Sequence, residues 1–163
     1  MESGKWLAGV VMSLAATVAW AGEEMTKDAR VDAVLKDLKY SYEVSRAGNA
    51  KVVMGGFDGD RTQMVVINGE TEILGEFESR KVWTIASISE TPLPDDKVRM
   101  LMEKNGDYKL GAWSLQMVNS KYGVVYTVQI PANANSRVLK GAIMAVELAG
   151  DKMERELTGK DEF

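Results

Sequence analysis

The chain has 163 residues, enough for one domain with its own core, and sets 20 basic against 24 acidic side chains for a net charge of −4. It has no histidine and no cysteine, so it lacks the usual general base near neutral pH, any Ser-His or Cys-His nucleophile pair, and the ligands of a structural zinc site. Mild acidity without a Lys/Arg cluster also argues against a nucleic-acid partner.

The first stretch has the order of an export signal. "MESGK" supplies one lysine, "WLAGVVMSLAATVAW" is apolar apart from Ser13 and Thr17, and Ala19-Trp20-Ala21 is a small-x-small exit. The expectation is a signal peptide over 1–21, cut after Ala21, then a short leader at 22–30 and a single domain over 31–163. Removing Glu2 and Lys5 together leaves the net charge unchanged. The apolar run is short for the ~20 residues of a spanning helix and no strongly basic flank follows it. No stable membrane span is expected after cleavage, and the location is periplasmic or secreted.

In "TKDARVDAVLKDLK" (26–39), Val31, Val34, Leu35 and Leu38 recur at helical spacing, with Thr26 as the expected cap. "YSYEVSR" then alternates through Tyr40, Tyr42 and Val44, and "AGN" turns into the strand "AKVVMGGF". "DGDR" is a tight turn before the strand "TQMVVIN", and "NGET" turns again. In "EILGEFESRKVWTIASI", a short edge piece precedes a firmer strand near Lys81–Ser87. "TPLPDD" stops the sheet, because prolines do not suit an interior strand and Pro94-Asp95-Asp96 suits a helix start. The helix "DDKVRMLMEKN" is expected to bury Val98, Leu101 and Met102 and to end at Asn105-Gly106. "YKLGAWSLQMV" and "YGVVYTVQI" form a hairpin, the second strand alternating through Tyr122, Val124, Tyr126, Val128 and Ile130. The longest helix runs from about Ser136 to Leu157, capped by Asn135. Leu139, Ala142, Ile143, Val146, Ala149 or Gly150, Met153 and Leu157 form its buried face.

Short turns make neighbouring strands antiparallel, and the helices can cover one side. The fold class is therefore α+β: a twisted antiparallel sheet of about five to six strands with three helices, in the order α-β-β-β-(β)-α-β-β-α.

Four stretches, "FDGDRTQMVVI" (57–67), "VWTIASI" (82–88), "NGDYKLGAWSL" (105–115) and "ELTGKDEF" (156–163), resemble the YbjN family of bacterial domains, described as sensory-transduction regulators. The resemblance covers roughly Asp32 to Phe163. It implies a fold like the type III secretion chaperones, which are often dimers that hold a partner polypeptide along their surface. It supplies no catalytic residues, and fold alone does not transfer an activity. The export signal sets this chain apart from a cytoplasmic signalling or secretion-chaperone role.

The carboxylates form no recognisable motif. A calcium loop starting at Asp58 would need glycine and glutamate where Gln63 and Gly69 stand, so "FDGDRTQ" reads as a hairpin turn. Glu70, Glu72, Glu76 and Glu78 would point to one face of an extended segment and read as a solvated edge that resists foreign strands. Of the ten methionines, Met1, Met12 and Met25 lie in or near the export segment, and the seven within the domain, at helical and strand spacing, read as core. The tempting residues are aromatic and apolar. In "YKLGAWSLQM", Gly111, Trp113, Leu115 and Met117 share one face, while Leu110 and Ala112 share the other. Either this strand is covered on both sides or an apolar face is open. Trp83, Trp113, Leu115 and Met117 are the candidate partner-binding face.

The functional expectation is an exported, non-enzymatic binding or chaperone-like module, taking a polypeptide partner or a second copy of itself and regulating envelope or stress responses. No catalytic residue, cofactor or metal is expected. The alternative is a carboxylate-based hydrolase or small-molecule-binding protein of the periplasm, which would need acidic groups converging on a pocket.

Overall fold

The computed structural model describes residues 27–55 and 60–163. The expected signal peptide, Thr26 and the Asp58-Gly59 half of the "DGDR" turn lie outside the described residues. The observed class is the expected α+β, with three helices on a seven-stranded antiparallel sheet.

Helix α1 (Ala29–Asp37) buries Val31 and Leu35, and Asp28 caps it by accepting from the Arg30 N–H at 2.8 Å. The chain reverses at Lys39 (φ 57°) and reaches β1, which is only Glu43–Val44. Tyr40 and Tyr42 pack against the core, but Val44 is exposed. Strands β2 (Ala50–Gly55) and β3 (Thr62–Ile67) pair in full register, Ala50 opposite Ile67.

Strands β4 (Glu72–Leu74) and β5 (Phe77–Ser89) are a hairpin about Gly75, whose φ of 62° suits glycine. That turn corrects the single row of glutamates: the segment is not continuously extended. Instead Glu72 pairs with Lys81 at 2.5 Å, and Glu78 bonds Arg30 at 2.8 Å and Thr71 at 2.7 Å.

Helix α2 (Asp95–Lys104) follows the prolines. Its face differs from the expected one: Leu101 is buried and Met100 packs on the core, while Met102 is exposed. Only one side of α2 touches the sheet, so its apolar stripe is narrower than the periodicity implied. Strands β6 (Ala112–Val118) and β7 (Lys121–Pro131) form the second hairpin, turning at Asn119 and Ser120 with φ of 49° and 64°. Helix α3 (Ser136–Thr158) begins where Asn135 accepts from the Val138 N–H at 3.1 Å and ends at the left-handed Gly159.

The sheet order is β1-β2-β3-β5-β7-β6, with β4 attached to β5. Helix α3 lies across β3, β5 and β7. Its Leu139, Ala142, Ile143, Val146, Ala149 and Met153 meet Val52, Val65, Ile67, Val82, Val124, Tyr126 and Val128 in one core. Arg80 is buried on this side; it donates to the Gly69 carbonyl at 2.8 Å, to the Asn68 carbonyl, and to the Asp28 carboxylate at 2.6 Å. Beyond Val66–Trp83 the β3 and β5 ladders part. Gln63 spans the gap, donating to Thr84 Oγ1 at 2.6 Å and the Ile85 carbonyl at 3.0 Å, and the Phe163 carbonyl accepts from the Met64 N–H at 2.8 Å.

Candidate functional site

Register divides the four tryptophan-region candidates between two faces. Trp113 stands opposite Tyr126, which stands opposite Thr84, whereas Trp83 stands opposite Thr127, which faces Ala112. Because side chains alternate along a strand, Trp113, Leu115 and Met117 lie on the helix side and Trp83 on the other.

Trp113 is core. It is buried, with its ring centroid 5.0 Å from Tyr126 and 6.4 Å from Tyr108. The neighbouring segment is fastened around it. The Tyr126 hydroxyl donates to the Leu110 carbonyl, and Gly111 (φ 78°) passes so close to β7 that a Cβ there would lie 2.4 Å from the Thr127 carbonyl oxygen. Burial pushes the Tyr126 phenol up to about 12.

Leu115 and Met117 continue the row past the end of helix cover. They are 48% and 61% exposed and, with Leu93, Tyr122 and Val124, line an apolar groove of about 280 Å³ whose floor also holds Ser87 and Ser89. The groove runs along the outermost strand. Among the described residues no strand pairs with the outer side of β6.

One side chain does occupy that outer side. Asn105, the helix stop of α2, accepts from the Trp113 N–H at 2.6 Å and donates to the Trp113 carbonyl at 3.2 Å. A carboxamide thus takes the place of a neighbouring strand for one residue. In an antiparallel ladder the backbone groups of alternate residues point to opposite sides. Trp113 pointing outward puts Leu115 and Met117 outward too, while Ser114 and Gln116 bond β7. Asn105 closes the first outward rung; among the described residues those of Leu115 and Met117 stay open.

The edges differ in protection. Strand β1 is two residues long, with Glu43 bonded to Lys51 at 2.6 Å, and β4 is three residues long among glutamates. The β4–β5 tip also exposes Ile73, Leu74 and Phe77. Strand β6, "AWSLQMV", has seven residues and neither charge nor proline, the features that usually keep an edge from pairing.

Trp83 lies over the opposite face. Its indole N–H donates to Asn68 Oδ1 at 2.8 Å, and with Asn49, Gln116, Asn119 and Thr127 it lines a cavity of about 410 Å³. Lys81, the cation there, is held by Glu72.

Carboxylates do converge elsewhere. On α3, Glu147, Asp151 and Glu154 face Arg61, which bonds Asp151 directly and reaches Glu154 at 3.3 Å. Glu154 is fully buried and accepts from the Glu162 N–H at 2.6 Å; burial raises its carboxyl above the usual range. Glu147 is 3% exposed, and burial, then the charge of Asp151, pushes it up to about 7. Among the described residues its Oε2 and the Oε1 of Gln63 are buried without a partner, beside a cavity of about 20 Å³. That space is large enough for one water and too small for a substrate. The signal for this cluster was readable: two glutamates seven apart, both beside the apolar stripe of α3.

Among the described residues no group of three His, Cys, Asp or Glu is placed to hold a metal ion, and no helix is long and apolar enough to cross a membrane. Comparison with protein-family models, curated proteins and solved structures finds no match to this chain.

Proposed function

We propose that the chain is a non-enzymatic binding module that takes an extended polypeptide as an added strand along β6. The observation that carries this reading is the edge itself: seven uncharged residues with open rungs at Leu115 and Met117, beside a groove lined by the same two side chains. Backbone hydrogen bonds would supply affinity, and alternate side chains falling into the groove would supply selectivity. The signal-peptide pattern at 1–21 supports a location outside the cytoplasm, and resemblance to the YbjN family fits a chaperone-like or regulatory role in the envelope.

The test removes a rung without removing the fold. Proline at residue 115 deletes an N–H that faces outward, which an edge strand tolerates. Peptides selected from a displayed linear library against the full chain should protect the Leu115 and Met117 amides from hydrogen exchange. Leu115→Pro should lose those peptides while keeping wild-type circular dichroism. Undiminished binding by a folded Leu115→Pro variant would end this reading.

A second reading, a small-molecule site, is favoured by the Trp83 cavity. Its carboxamides, hydroxyl and indole, with Lys81 already paired, suit a small uncharged ligand.

A further inference from the structure

We infer that the strand added to β6 is β6 of a second copy, antiparallel to the first about a two-fold axis through Gln116. This rests on reading β6 as the open edge and names its occupant and register.

The register follows from the open rungs. A symmetric antiparallel pair must match residues whose numbers add to a constant, and each hydrogen-bonded pair needs outward backbone groups on both strands. An axis at Leu115 would place Met117 opposite Trp113 of the other copy, whose backbone groups Asn105 already holds. An axis at Gln116 places Leu115 opposite Met117 of the other copy, and Met117 opposite its Leu115. Both open rungs then close on each other, and Trp113 is left to Asn105.

Side-chain chemistry agrees with this register. On the helix face, exposed Leu115 and Met117 meet each other's counterparts, so each copy's groove continues into its partner's. On the opposite face Gln116 meets Gln116, and Ser114 meets Val118. No like charges are opposed, because Ala112–Val118 has none.

Cysteine cross-linking tests the register directly, since the chain has no cysteine of its own. Gln116 would face its own copy as a non-hydrogen-bonded pair, with Cα atoms about 4.5 Å apart, inside the range a disulfide bridges. Ser114 would lie four residues out of register with its own copy, roughly 13 Å away, beyond that range. Both side chains are off the core, so cysteine at either site leaves the fold intact.

The expected result is a full chain of twice the monomer mass by light scattering, with Q116C forming a covalent dimer on oxidation. S114C alone should stay unlinked, while an S114C and V118C mixture should link. A dimer whose Q116C variant does not link would overturn the inference and place the contact elsewhere. A chain that stays monomeric at high concentration would also overturn it. In either case the selected-peptide and Leu115→Pro experiment judges the open-edge reading separately.

Discussion

Glu147 makes stability depend on pH in the sense opposite to a salt-bridged carboxylate. Its folded pKa of about 7 lies above the 4.5 of a free side chain, so the folded state holds a proton that the unfolded state has released. Stability from this group is complete below pH 4.5 and falls as pH rises through 7, by roughly 3 kcal/mol in all. Glu154, raised by burial, adds in the same sense. Asp151 faces the pair from α3 and Arg61 from the residue before β3, and Gln63 Oε1 is the neutral acceptor beside it. Urea midpoints measured between pH 4.5 and 8 should decline for the wild-type chain, and Glu147→Gln should flatten much of that decline. A second residue, Arg80, depends on Asp28. Burial pushes the Asp28 carboxyl up, but its bonds to Arg30 and Arg80 outweigh this and hold it well below the ordinary range. Asp28→Ala strands the buried guanidinium and removes the cap of α1. Leaving half of such a pair behind costs about 3–5 kcal/mol, which chemical denaturation would register as a large fall in the midpoint.

The elements divide by how local their causes are. Period and alternation lay in neighbouring residues, so α1, α3 and β7 were legible, with Asn135 as a cap and Leu139 to Met153 as a buried stripe. The expected hairpin between β6 and β7 also stands, though β5 runs to 13 residues, well beyond Lys81–Ser87. Illegible were facts set by partners distant in the chain. That β6 is outermost follows from β7 inserting between it and β5, and that Trp83 and Trp113 face opposite ways follows from the pairing of both with β7. Asn105 read as a helix stop, and nothing beside it in sequence showed that its side chain would reach Trp113. The Met102 error has a similar source: periodicity locates a stripe but not how much of it the sheet covers. Gly111 marks where these levels meet. Gly111→Ala sets a Cβ against the Thr127 carbonyl and strains a positive φ, so it should destabilise by more than about 1 kcal/mol. Thermal unfolding would detect that loss, together with weaker protection of the Trp113 amide in hydrogen exchange.

At the scale of the whole molecule, the covered and open parts of the sheet are unequally distributed. Helix α3 and the core lie over β3, β5 and β7, while Leu115, Met117 and Tyr122 at the far ends of β6 and β7 are exposed. A module of this form keeps its stability in one place and its recognition in another, so edge variants such as Leu115→Pro should alter binding with little change in unfolding midpoint. Core variants should do the reverse. Calorimetry and binding measurements on the same proteins would separate the two sets.

The inequality of the two sheet margins has a last consequence, for growth. At one end stands a seven-residue strand, at the other a two-residue strand tied by Glu43 and Lys51. Joining two copies through β6 uses up the long margin of both and, among the described residues, leaves margins of two and three residues, β1 and β4, facing outward. The product offers no fresh template, so assembly halts at two. Raising the concentration should give a smooth saturating curve of mass, with neither the lag nor the seeding of a fibre.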